Sequence, residues 1–381
     1  MLKKIILIAI LVLLIPQAAK AAFDNGYSYR KAITINASEV SDLDTANFTN
    51  FPVLISTAEA ALATTGDGGN VTDAQGDDII FTAADDAPLS FEVESYTSTS
   101  GLGTLIAWVK IPVLDYNDDT TIYMYYGNGD VSTSQENIYQ VWSNGFVGVW
   151  HLNETSGNCI NSASSSYEGT RNGTVVPVAG VVGNGQDFQN VWTDVATQCV
   201  WTDWFTVSSF PIPLPNGSVS IWVNPDSMGS GRVNPFGGHT NWELKLRYTP
   251  IRSIANVDVS STVLTCATAD YKASTETGWW YVTCDYLGSN KRIYIDGHYS
   301  NFAILTSGSP SSMDLLIGRT DTSTELFDGQ LDEMRVSNTT RTAGWNMNEW
   351  NNMANPNAFA TVGAEEEPAA PAAGKVMLIN F

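Results

Sequence analysis

The sequence predicts an all-β fold, two β-sandwich domains in series, and three observations carry that reading. Short runs of Val, Ile, Tyr and Trp alternate with Gly, Asn, Ser and Thr, with hardly any 3.6-residue apolar period. The segment from Thr277 to His298 holds two alternating aromatic and β-branched runs closed by Asp296-Gly297, residues that tolerate the positive φ of a tight hairpin turn. At 381 residues the chain also exceeds one ordinary core.

Taken in order, the chain opens with Lys3 and Lys4, an apolar run from Ile5 to Ile15, Pro16 and small residues up to Ala21. Residues 1–21 read as a secretory signal peptide, because the run is too short to span a bilayer comfortably. An uncleaved N-terminal anchor is the rival, and either places the rest outside the cytoplasm, secreted or at the cell surface. The 40 Asp and Glu against 18 Lys and Arg, a formal charge of −22, fit that address and make nucleic acid and anionic lipid poor partners.

Residues 22–129 carry at least six strand-like runs between Gly, Asp, Pro and Ser breaks, enough for one compact sandwich. Glu92 and Glu94 stand two apart on one such run, so their carboxylates share a face and offer an acid/base pair or a cation site. Alternation alone predicts the same pattern for the solvated outer face of a half-buried strand, the reading favoured here. Asp77-Asp78 and Asp85-Asp86 read as turn residues before calcium ligands.

A Ser-, Thr-, Gln- and Asn-rich linker at 130–140 leads to a second domain over 141–364, opening at Gly145 to Leu152. Cys266 and Cys284 fall on what read as neighbouring antiparallel strands, which suits a cross-strand disulfide and leaves Cys159 for Cys199 by elimination; four cysteines allow three connectivities. No Cys-x-x-Cys pair supports zinc. His151, His239 and His298 are scattered without metal or triad spacing, and no hydrolase elbow, zincin helix, phosphate loop or dinucleotide fingerprint is present. Residues 365–381 read as an acidic, Pro/Ala-rich linker followed by Gly374 to Phe381, which aligns without gaps to Gly145 to Leu152 and suggests the start of a further repeat.

Two resemblances sharpen this picture. Tyr29-Arg30-Lys31, Gly76-Asp77-Asp78-Ile79, Glu92-Val93-Glu94-Ser95-Tyr96, Ala107-Trp108-Val109-Lys110 and Tyr125-Tyr126-Gly127-Asn128 resemble the bacterial and archaeal family called domain of unknown function 2341. Gly183 to Phe188, Ser218 to Pro225, the Asp296-Gly297 hairpin, Gly318-Arg319 and Phe327 to Val336 resemble a concanavalin A-like, laminin-G-like jelly roll. That second resemblance implies recognition of a glycan or a surface protein, with calcium at a loop rim near Asp187 and Asp332; structural roles for both are an equal alternative. Asn161 stands where relatives often carry Asp. The stretch from Gln189 to Val207 is longer than the family pattern, and its Trp192 and Trp201 are the candidate sugar-stacking residues, with core packing as the alternative. The paired strand carboxylates of jelly-roll glycanases are missing. The expected function is therefore non-enzymatic binding, with a structural stalk or envelope role second. A glycoside hydrolase using Glu92, Glu94 and Glu333 comes third.

Overall fold

The computed structural model describes residues 22–189, 203–211, 216–226, 232–238, 243–247, 253–258, 278–288, 290–304, 312–319 and 327–369. The leader, Trp192, Trp201, Cys199, Cys266, His239 and the segment from Gly374 onward lie outside the described residues.

The first sandwich is built from β1 (Tyr29–Ile35), β2 (Phe48–Glu59), β3 (Ile80–Ala83), β4 (Phe91–Thr99), β5 (Leu102–Leu114) and β6 (Thr120–Tyr126). They form two antiparallel layers, one running β1-β6-β3 and the other β2-β5-β4. Alternation supplies the core: Ile33, Ile35, Phe81, Ile122 and Met124 face Phe51, Val53, Ile55, Leu105 and Val109. The quoted sequence motifs meet at one buried residue. Asp78 accepts hydrogen bonds from Thr72 N (3.0 Å), Thr72 Oγ1 (2.7 Å), Asp73 N (3.1 Å), Gly127 N (2.9 Å) and Asn128 N (3.2 Å). It thus ties the Gly76 turn to the end of β6, a structural role that needs no cation. Gly127 has φ +81°, and a Cβ there would meet the Tyr29 ring at 2.6 Å.

After α1 (Ile138–Val141) the second sandwich begins with β7 (Phe146–Trp150), β8 (Thr170–Asn172), β9 (Val176–Ala179) and β10 (Asn184–Phe188). It continues through β11 (Trp204–Pro211), β12 (Asn216–Pro225), β13 (Arg232–Gly237), β14 (Glu243–Arg247) and β15 (Ser253–Asp258). The hairpin strands and their successors are β16 (Trp280–Leu287), β17 (Asn290–Ile295), β18 (His298–Ile304), β19 (Ser312–Ile317) and β20 (Gly329–Ser337). One sheet runs β18-β17-β16-β12-β20-β10-β9 with β7 also on β20, and the other runs β15-β14-β13-β19-β11-β8. Val219, Ile221, Val223, Val282, Tyr286, Leu331 and Val336 of the first close on Phe205, Val207, Leu315 and Ile317 of the second. The β17–β18 turn is the expected two-residue type, with φ +50° at Asp296 and +74° at Gly297. The all-β, two-sandwich fold is as expected.

The chain then returns to its beginning. Helix α2 (Ala343–Ala354), N-capped by Thr342 Oγ1 accepting from Trp345 N at 3.2 Å, leads through α3 (Pro356–Phe359) into β21 (Ala360–Glu366). β21 pairs antiparallel with β1, Lys31 opposite Glu365 and Arg30 opposite Glu366. Residues 365 and 366, expected in a linker, are thus strand residues of the first domain. The acidic run reads as part of a linker on composition, but its partners lie far away in sequence: Tyr126 Oη donates to Glu365 Oε2 at 2.7 Å and Arg30 Nε to Glu366 Oε2 at 2.8 Å.

Candidate functional site

The larger sheet of the second sandwich has one apolar face, and alternation sends Ser218, Ser220, Trp222, Tyr281, Thr283, Asp285 and Arg335 to the other. An isolated sandwich would leave that face in water. Here every one of those side chains is buried, because α2 and the β2-β5-β4 layer of the first sandwich cover it. Asn352 of α2 illustrates the fit: its Oδ1 accepts from Leu54 N at 2.6 Å and its Nδ2 donates to Leu54 O at 3.1 Å, so an amide side chain substitutes for a neighbouring strand on β2.

At the centre of this junction lies a cluster assembled from three distant segments. Glu92 and Glu94 come from β4, His151 from just beyond β7, and Glu333 and Arg335 from β20. His151 Nδ1 is 2.6 Å from Glu333 Oε1 and 3.5 Å from Glu94 Oε2, and its Nε2 is 3.3 Å from Glu92 Oε2. Each carboxylate is held from behind. Trp108 Nε1 donates to Glu94 Oε2 (2.8 Å), and Trp142 Nε1 and Ser162 Oγ donate to Glu92 (2.6 Å each). Arg335 Nη2 donates to Glu333 Oε2 (2.7 Å) while its guanidinium lies over the rings of Trp108 and Trp142, at 4.3 and 5.0 Å.

Two local irregularities aim the carboxylates. The β4–β5 register slips between Val93 and Ser95, making Glu94 the extra residue of a bulge, and the β12–β20 register slips opposite Glu333 and Met334. Glu333 has φ +51°, a left-handed conformation that costs a non-glycine residue about 1–3 kcal/mol. The solvated outer face expected for Glu92 and Glu94 is therefore a correction: alternation gave their shared face, but the second domain covers it. The side chain of Glu94 is fully buried.

Electrostatics follow from that burial. Desolvation first, and then the neighbouring Glu333, push Glu94 up to about 8 despite His151 beside it. For His151 burial works against the charged ring, but Glu333, Glu92 and Glu94 outweigh it and lift its pKa well above the ordinary value. Burial likewise opposes ionisation of Glu333, yet His151 and Arg335 hold it below the usual range.

Nearby, burial pushes Asp285 up to about 7, although Asn346 Nδ2 donates to it at 2.9 Å. A carboxyl that holds its proton more tightly folded than unfolded contributes stability that is complete below about pH 4 and is lost as pH rises through 7. Asp285→Asn is expected to remove this loss. In urea melts at pH 5 and pH 8 the parent should lose more stability than the variant, with about 3 kcal/mol as the upper bound.

On the opposite side of α2 the two domains enclose a groove of about 780 Å³. Residues 37–43 and Tyr116 of the first sandwich form one wall, the Gly297–Tyr299 hairpin tip another, and Ala343, Met347 and Asn351 of α2 the floor. Tyr299 is 50 % and Leu43 58 % exposed, Tyr116 is half-buried, and His298 packs edge-on against Trp350 at 5.7 Å. Gly297 fits the floor closely, since a Cβ there would lie 2.9 Å from Met347 Cα.

The sequence-predicted residues are placed as follows. Glu92, Glu94 and Glu333 converge. Asp332 is fully buried and its Oδ2 accepts from Val181 N (2.7 Å) and Val182 N (2.9 Å), fixing the turn before β10. Asp187 accepts from Gln189 Nε2 at 3.1 Å; burial, then Asp226 and lastly Asp187 raise Asp328 to about 6. Asn161 is a buried spoke, its Oδ1 accepting from Val149 N (2.9 Å) and Ala163 N (3.0 Å). No disulfide joins any two described residues. Cys159 is a free thiol in the core among the described residues, its expected partner Cys199 lying outside them, and Gly169 closes over it so tightly that a Cβ would sit 2.1 Å from its Sγ. Cys284 lies in the core on β16, and Cys266, its expected partner, is outside the described residues. Sequence reasoning missed His151 and Arg335. The available signal was periodicity: His151 follows Val149 by two, on the face opposite Trp150.

The family model described as a domain of unknown function, DUF2341, matches residues 75–163, and that of the concanavalin A-like lectin/glucanases superfamily, Laminin_G_3, matches residues 201–345. The first match contains Glu92, Glu94 and His151, and the second Glu333 and Arg335. No curated protein matches. Among solved structures, domain 4 of AbnA, a GH43 extracellular arabinanase from Geobacillus stearothermophilus in complex with arabinotriose, is 17 % identical. That comparison covers 53 % of this chain and 96 % of that one, at a TM-score of 0.39. The binding domain of botulinum neurotoxin serotype D is 11 % identical over 54 % of this chain and 51 % of that chain, TM-score 0.40. The binding domain of Paraclostridial Mosquitocidal Protein 1 is 9 % identical over 55 % and 52 %, TM-score 0.42. The chain spans about half the length of these two binding domains. Among the described residues no helix is long and apolar enough to cross a membrane.

Proposed function

We propose that this protein is a non-enzymatic carbohydrate-binding protein of the cell exterior, taking a neutral glycan in the groove between its two sandwiches. The observation that carries the reading is the groove itself: exposed Tyr299 and half-buried Tyr116 stand beside Glu39, Asp42, His298 and Asn351, at the edge of a lectin/glucanase-type domain. Aromatic faces stack on the C–H surface of a sugar ring while carboxylate and amide groups fix its hydroxyls. The net charge of −22 argues against an acidic ligand. Binding rather than catalysis is favoured because Glu92, Glu94 and Glu333 are buried beneath α2 and engaged with His151, Arg335 and indole N–H groups.

A glycan array probed with the full chain tests this, alongside a Tyr116→Ala/Tyr299→Ala variant, a Trp192→Ala/Trp201→Ala variant and a chelator arm for the calcium expectation. The tyrosine pair is expected to weaken binding about tenfold or more. Loss confined to the tryptophan variant would move the site to the 189–207 segment. A folded chain blank on every glycan would favour the structural role, which the shared core of the two domains also suits.

A further inference from the structure

We infer that the buried junction holds one divalent transition-metal ion of the zinc or manganese type, with His151, Glu94 and Glu333 as its protein ligands. The donor atoms of these three side chains lie within 4.8 Å of one another. Two ligands bound about 2.1 Å from one ion stand roughly 3.0–3.4 Å apart. The observed His151 separations, 2.6 Å to Glu333 and 3.5 Å to Glu94, bracket that span, so only small side-chain rotations are required.

Independent of this geometry, one ligand carboxylate has an oxygen without a hydrogen-bond partner. Glu94 Oε1 is buried and unsatisfied, on a side chain that is fully buried. Native interiors rarely leave such atoms orphaned unless an ion or water completes them. A proton on Glu94 Oε1 would find no acceptor there, whereas a cation uses its lone pair.

The charge balance points the same way. Glu92, Glu94, Asp332 and Glu333 crowd one interior region in which Arg335 and His151 are the two basic groups facing four carboxyls. A divalent ion offsets two of those charges without protonating them. Calcium is the wrong ion for this donor set: it wants six to eight oxygens, while an imidazole with two carboxylates suits zinc or manganese. The surroundings resemble an outer shell, with Arg335 gripping the far oxygen of Glu333 and Trp108 gripping Glu94. Both ligand carboxylates sit at β-bulges, which re-aim side chains.

The test is elemental analysis of the full chain, refolded in the presence of zinc, manganese or cobalt and dialysed free of excess metal. One equivalent per chain is expected, with a Tm several degrees above the chelator-treated protein. The cobalt form should show visible bands of mixed nitrogen and oxygen coordination. Glu94→Gln/Glu333→Gln should drop the metal below a tenth of an equivalent. If that variant fails to fold, the cobalt spectrum and add-back Tm of the unmutated chain still decide. Less than a tenth of an equivalent from every refolding, with no Tm change, would overturn the proposal. So would one equivalent retained by a folded Glu94→Gln/Glu333→Gln or His151→Gln variant.

Discussion

Arg335→Met is expected to destabilise the chain by about 3–5 kcal/mol, the cost of stranding a buried charge. Methionine approximates the volume of the arginine stem, so the indoles of Trp108 and Trp142 keep most of their packing and the loss is electrostatic. Glu333 Oε2 would forfeit a 2.7 Å charge-assisted hydrogen bond and Glu349 Oε1 a weaker contact at 3.5 Å, both on buried groups. Arg335→Lys should recover only part of this, because an ammonium has neither the fork nor the flat face that lies on the two rings. Adding Glu333→Gln to Arg335→Met should restore some stability, and urea melts of the parent, the Arg335→Met and Glu333→Gln single variants and their combination give that coupling directly. Because the pair is buried, raising the salt concentration should change the result little.

A chain stopped after Asn355 should lose the first sandwich while keeping the second. The deletion removes fully buried Phe359, worth about 2–3 kcal/mol of apolar burial, and the whole of β21. It also takes one acceptor, Gly363 O at 3.2 Å, from Lys31, which is 4 % exposed and keeps its ion pair with Glu59, and it strands Tyr126, which donates to Glu365. Hydrogen exchange measured along the chain should show protection collapsing in β1 and β6 and persisting in β12 and β16. Equal loss in all four strands would mean that the two sandwiches unfold as one unit.

These expectations rest on features of unequal legibility. The Asp296-Gly297 hairpin was readable because turn chemistry is local: two adjacent residues that accept positive φ are enough. The strand runs of both domains were readable from alternation for the same reason. Alternation also gave Glu92 and Glu94 a common face, but a period of two says nothing about what covers that face. The cover comes from α2, whose contribution lies in single residues such as Asn352 and Glu349 rather than in an apolar stripe. Periodicity gave His151 a face but no partners, since its carboxylates are 59 and 57 residues before it, Glu92 and Glu94, and 182 residues after it, Glu333. Bulges at Glu94 and Glu333 are set by register, which the sequence of one strand does not encode. Asp332 could be weighed between a ligand and a turn brace, and its two backbone partners at Val181 and Val182 support the brace.

The pairing of β21 with β1 also fixes how the molecule responds to tension. Residue 30 lies opposite residue 366, so the outer ends of the two strands meet at the same end of the ladder. Tension between the start and finish of the described chain therefore falls first on the Arg30–Glu366 contact. It opens the ladder bond by bond, as a zipper does, instead of shearing all its hydrogen bonds together. With Glu366 exposed and Arg30 half-buried, that ion pair is a weak first tooth. Behind it, the Lys31–Glu365 register and the Phe359 anchor must yield before the force reaches the charged junction between the domains. A molecule tethered by its two ends would thus give way first at its own clasp, with the second sandwich and its groove still folded.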